Sequence, residues 1–126
     1  MTENYGITEE TLSEADFLAG SHPTVIVPVV ISDTVGALSR GRILGRNSTD
    51  HKYYDWDPDA SDGTEVARTI LAADVADETI DVKTLAWVHG VFRKDALLWG
   101  TTDSAKIARG MRDLQATGIF VKADQA

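Results

Sequence analysis

A chain of 126 residues, 43% hydrophobic and 25% charged, is sized for one globular domain around a single core. Its 20 acidic side chains outnumber 12 Lys and Arg, a net charge of -8, which disfavours the basic face that nucleic acids and anionic membrane surfaces demand. The absence of cysteine removes disulfides, thiolate nucleophiles and zinc–thiolate sites together.

Residues 1–22 differ from the rest. They carry Glu3, Glu9, Glu10, Glu14 and Asp16 without one Lys or Arg, and their apolar residues follow neither a strand nor a helix period. Such a segment predicts a flexible N-terminal arm ahead of a folded domain over residues 23–126. It has no positive n-region and no apolar h-region, so a soluble, intracellularly made protein is expected.

Thr24–Ile31 is β-branched nearly throughout and predicts a buried strand, with Pro28 marking an edge or a bulge. It is also the longest apolar stretch, far short of the about 20 residues that a membrane span needs. Three glycines between Val35 and Gly45 predict a turn into a short strand over Arg42–Gly45. Asn47–Lys52 reads as a loop, and Asp57–Gly63 is dense in turn formers. Glu65–Ala73 predicts a strand that Asp74–Asp77 breaks. Thr79–Phe92 predicts the longest strand, with Ile80, Val82, Leu85, Trp87 and Val88 as core and a bulge at Gly90. A three-turn helix follows, capped by Thr102 or Asp103, with Ala105, Ile107, Ala108, Met111, Leu114 and Gln115 at helical spacing and Gly118 as its stop. Ile119–Lys122 is the closing strand. The fold class is mainly β (α+β).

Chemistry is sparse. His22, His51 and His89 have no spacing for a shared metal. Asp55, Asp57, Asp59 and Asp62 suggest a calcium loop, but counting from Asp57 puts Asp62 where the loop needs glycine and Arg68 where it needs a carboxylate. No nucleophile elbow, phosphate loop or dinucleotide fingerprint occurs. The reading is therefore no catalytic residues, no metal and no cofactor. Trp56, Trp87 and Trp99 read as structural residues, the last two flanked by apolar neighbours.

An ordered series of short strings carries a resemblance. It runs Gly41-Arg-Ile-Leu-Gly, Tyr54 and Trp56 ahead of the acidic turn, Ser61-Asp-Gly-Thr-Glu-Val-Ala, Ile70-Leu-Ala-Ala-Asp-Val, Gly90-Val-Phe and Asp95-Ala-Leu-Leu-Trp. The helix leading into Gly118-Ile-Phe-Val extends it. In this order the chain resembles the bacteriophage lambda-type head decoration proteins. The resemblance implies a small β-barrel or β-tulip-like domain with one C-terminal helix and an extended N-terminal arm. It implies a homotrimer on the three-fold positions of the expanded head, on the outer surface of the virion. There it would cement the major capsid (coat) protein against packaged-DNA pressure, with no enzymatic activity. The family's arm is disordered when free and orders on the capsid, which makes Tyr5, Ile7, Leu12, Phe17 and Leu18 the candidate capsid-binding residues here. A small β-barrel binding module of a phage tail or baseplate, or a carbohydrate-binding accessory, is the alternative, and oligomeric state together with the target bound separates the two.

Overall fold

The computed structural model describes residues 23–76 and 80–122. Its strands are β1 (Val25–Ile31), β2 (Ile43–Arg46), β3 (Tyr53–Asp55), β4 (Ala67–Leu71), β5 (Val82–Arg93) and β6 (Ile119–Lys122). A 3-10 turn over Lys94–Ala96 follows β5, and one helix, α1 (Ser104–Thr117), precedes β6. The strands run in the order β1-β3-β2-β4-β5-β6, and a further pairing of β1 with β5 closes the first five into a barrel. Every pairing in that ring is antiparallel except β1 with β3, and β6 extends β5 in parallel.

Alternation across the sheet makes two cores from one set of strands. Leu44, Leu71 and Ala86 point into the barrel with Val29 and Ile31, and the Leu38–Val75 bridge contributes two more side chains there. Their chain neighbours Ile43, Ile70 and Trp87 point the other way, beneath α1, where Ile107, Leu114, Phe92 and Ile119 join them. A sheet covered on both faces reads as continuous apolar pairs, as Ile43-Leu44 and Ile70-Leu71 do.

The helix begins where the Asp103 carboxylate accepts from the Ala105 and Lys106 amides. It ends at Gly118, whose φ of 102° only glycine adopts cheaply and whose amide returns to the last turn. At fourteen residues it is longer than its three predicted turns. Its buried residues are Ile107, Gly110 and Leu114, whereas Ala105, Ala108 and Gln115 are exposed and Met111 is half-buried. Gly110 is the contact point: a Cβ there would stand 2.9 Å from Trp56 Cη2 and 3.2 Å from Trp99 Cζ3. Overpacking of this kind costs about 1–3 kcal/mol, while alanine's helix preference over glycine returns at most about 1. Gly110→Ala should therefore lower the denaturation midpoint, and an unchanged or raised midpoint would show the indoles can yield.

Three local expectations change. β1 is not buried along its length: Val25 and Val30 are exposed, because only Val29 and Ile31 are fully buried in the barrel. Of the core residues expected in β5, Ile80 and Leu85 are 67% and 44% exposed, and Val82 and Val88 are half-buried. Leu85 shares the outer face of β5 with Trp87, yet only Trp87 reaches the cluster beneath α1. Val25 faces His89 and Ile26 faces Trp87, so Val88 is the extra residue of a bulge. The bulge thus lies two residues before Gly90, which pairs regularly with Ile119. Tyr53–Asp55, unassigned in the sequence, is β3.

Pro28 occupies an edge. The Ala72 amide reaches the Leu85 carbonyl from the β4 side, so the polar groups of Leu85 face away from β1. Pro28 lies opposite Leu85, and its missing N–H consequently falls on the outer side of β1, where β3 pairs only at Ile31 among the described residues.

Candidate functional site

The acidic turn borders a cleft of about 520 Å³ between Tyr54–Thr64 and the start of α1. Its carboxylates are already engaged. Asp55 takes two hydrogen bonds from Arg42, at 2.7 and 2.6 Å. Asp59 pairs with Lys106 at 3.0 Å. Asp57 accepts from the Asp59 amide, and Asp62 accepts from both the hydroxyl and the amide of Thr64. Arg109 donates to the Pro58 carbonyl, tying the same turn to the helix. Among the described residues no three His, Asp or Glu side chains converge as a metal site. The arrangement fastens a turn; it does not pair an acid with a base.

Asp50, Asp62 and Asp81 are held below the usual carboxylate range, chiefly by the Tyr54 hydroxyl, the Thr64 hydroxyl and the Lys52 ammonium respectively. A carboxylate whose pKa falls on folding contributes stability above its unfolded value, and that contribution is lost as pH falls through the lowered one. All three are solvent-exposed, so the effect is small. The denaturation midpoint should fall below about pH 4, and Asp62→Asn should flatten that slope. An equal slope in the variant would contradict the assignment.

The strings that carried the resemblance meet in space. A Cβ on Gly45 would lie 2.4 Å from the Thr64 carbonyl oxygen, and one on Gly63 would lie 2.6 Å from that of Arg46. Trp56 Nε1 donates to the Glu65 carbonyl at 2.9 Å. Trp56 also packs edge-on against Trp99, with centroids 6.0 Å apart. Trp87 is fully buried, 5.1 Å from Phe92, with Arg40 over its ring. Trp99 is 7% exposed and donates to the Lys94 carbonyl.

Tyr5, Ile7, Leu12, Phe17 and Leu18 lie outside the described residues, as does His22. His51 stands in its loop and His89 on β5 beside Gly118. Sequence reasoning missed the apolar surface left outside the barrel. On β1 and β5, Pro28 and Leu85 face one another and Val30 follows two residues on, all exposed. On β6, Phe120 is 42% exposed beside Met111 and Arg112 of α1. The signal was available in the alternation of Ile119-Phe-Val-Lys, whose helix side takes Ile119 and Val121 and leaves Phe120 outside. Exposed apolar patches of this kind mark contact surfaces. No helix is long and apolar enough to cross a membrane among the described residues.

A comparison with curated proteins finds no significant match. The family model of the bacteriophage lambda head decoration protein D matches residues 7–119, which spans all five barrel strands, all of the helix and most of the acidic segment. A closed five-stranded barrel and one C-terminal helix accord with that match. The chain belongs to the bacteriophage lambda head decoration protein D family, whose members are structural proteins of the phage capsid.

Proposed function

We propose that this protein is the cement of an expanded phage head, bound as a homotrimer at the three-fold positions of the outer surface. Its partner there is the major capsid protein, and it resists the outward pressure of packaged DNA without catalysing a reaction. The observation that carries the reading is the family match across residues 7–119, joined to a fold whose titratable groups are engaged in holding turns. An acidic protein suits that station, since a net charge of -8 keeps it from competing for DNA or adhering to anionic membranes.

In this reading residues 1–22 are the capsid-binding arm, separate from the decoration domain over 23–126. Tyr5, Ile7, Leu12, Phe17 and Leu18 are its apolar contacts. An extended arm binds chiefly by adding backbone hydrogen bonds to a strand of its partner, which tolerates an irregular side-chain pattern. Three arms joined in one trimer bind at high effective concentration, so modest single contacts give slow exchange.

Deletion of residues 1–20 tests the assignment. The truncated protein should unfold at the same temperature as the full chain and should fail to bind expanded heads. Unimpaired binding, or loss of the fold, would overturn the division.

A further inference from the structure

One side of β1 is largely unpaired. Val27, Val29 and Ile31 turn their backbone groups toward β5, opposite Ala86, Thr84 and Val82. Ile26, Pro28 and Val30 turn theirs outward, as Ser32 does where its amide donates to the Tyr53 carbonyl of β3 at 3.2 Å. Among the described residues β3 meets β1 only at Ile31, and no other backbone bond reaches residues 26–30 from that side. Two amides and three carbonyls therefore stand open, with Pro28 between them supplying no N–H. Five residues at about 3.4 Å each give roughly 17 Å of edge, the length of an ordinary strand.

We propose that this edge of β1, residues 26–30, receives an extended strand of the major capsid protein. The strand accepts from the Ile26 and Val30 amides and donates to the carbonyls between them. Its side chains on one face continue the exposed apolar surface of Pro28, Val30 and Leu85.

The assignment rests on the head-binding reading, and position carries it. The capsid-binding arm ends at residue 22, three residues before Val25 opens β1, so a strand that pairs with the arm is delivered alongside this edge. A second copy fits less well. Two β1 edges pairing with each other would form an isologous dimer, which a three-fold ring does not use, and each Pro28 would withhold a bond from the ladder. The edge adds to the arm without replacing it, so loss of residues 1–20 still abolishes binding.

Val30→Pro tests the edge, because it deletes an outward N–H and leaves the pairing with β5 intact. The variant should unfold at the wild-type temperature and need at least about tenfold more protein to half-saturate expanded heads, since each trimer loses three such bonds. Val30→Thr keeps the amide and should bind within about twofold of wild type. On the wild-type chain, hydrogen exchange of the Ile26 and Val30 amides should slow when heads are bound, and this measurement decides the matter if Val30→Pro does not fold. Wild-type affinity in Val30→Pro would overturn the assignment. So would an equal loss in Val30→Thr, which would make the contact one of side chains, or unchanged exchange at both amides. Failure of the wild-type chain to bind heads would sink the head-binding reading, and this assignment with it.

Discussion

Trp87→Ala should destabilise the protein by about 3–5 kcal/mol, the cost of emptying a large buried aromatic site. Trp87 has no exposed surface and sits where β5 crosses beneath the helix, in contact with Phe92 and under the Arg40 guanidinium. Its neighbours cannot collapse into the gap easily. Ile70 faces it across β4 and Ile26 across β1, each held by sheet register. Chemical denaturation monitored by circular dichroism measures the change, with Leu98→Ala as a comparison. Leu98 is 40% exposed, and surface changes of that kind fall within about 0.5 kcal/mol. A loss under 1 kcal/mol at Trp87 would mean the outer core is not what holds the barrel and helix together.

Gly45→Ala should be nearly as costly, at or above the upper end of the about 1–3 kcal/mol typical of overpacking. The added methyl would meet the Thr64 backbone at 2.4, 2.7 and 2.8 Å, and backbone, unlike a side-chain tip, has no rotamer to escape into. The surrounding turn is fixed from several sides: the Ser48 amide and hydroxyl donate to the Asp62 carbonyl, and Trp56 and Asp57 amides bridge to Ile43 and Thr64. Relief requires that β2 and the acidic turn separate. An unchanged denaturation midpoint in Gly45→Ala would show that the close approach is not maintained in solution.

These two sites explain why the sequence was partly legible. Gly45, Ser61-Asp-Gly-Thr and Trp56 are sparse and individually unspecific, yet their order is informative because each answers to another across the fold. The helix was legible from both ends, since the Asp103 cap and the Gly118 stop act through local hydrogen bonds. What failed was whatever depended on distant register. The cover over the outer face of β5 reaches Trp87 but stops short of Leu85, and nothing near Leu85 announces it. The strand Tyr53–Asp55 forms because β2 and β1 lie beside it, with a sequence that reads equally well as loop. The place of Phe120 beside Met111 and Arg112 emerged only once α1 and β6 were packed together.

The central claim is that this protein strengthens a filled head. A ligand that binds only the assembled shell stabilises it in proportion to the logarithm of its concentration over its dissociation constant. The direct measurement heats DNA-filled heads lacking the protein, with and without its addition to full occupancy, and follows DNA release. The account predicts a release curve displaced to higher temperature, rising further until the sites are saturated and then no more. Superimposable curves at demonstrated full occupancy would contradict it.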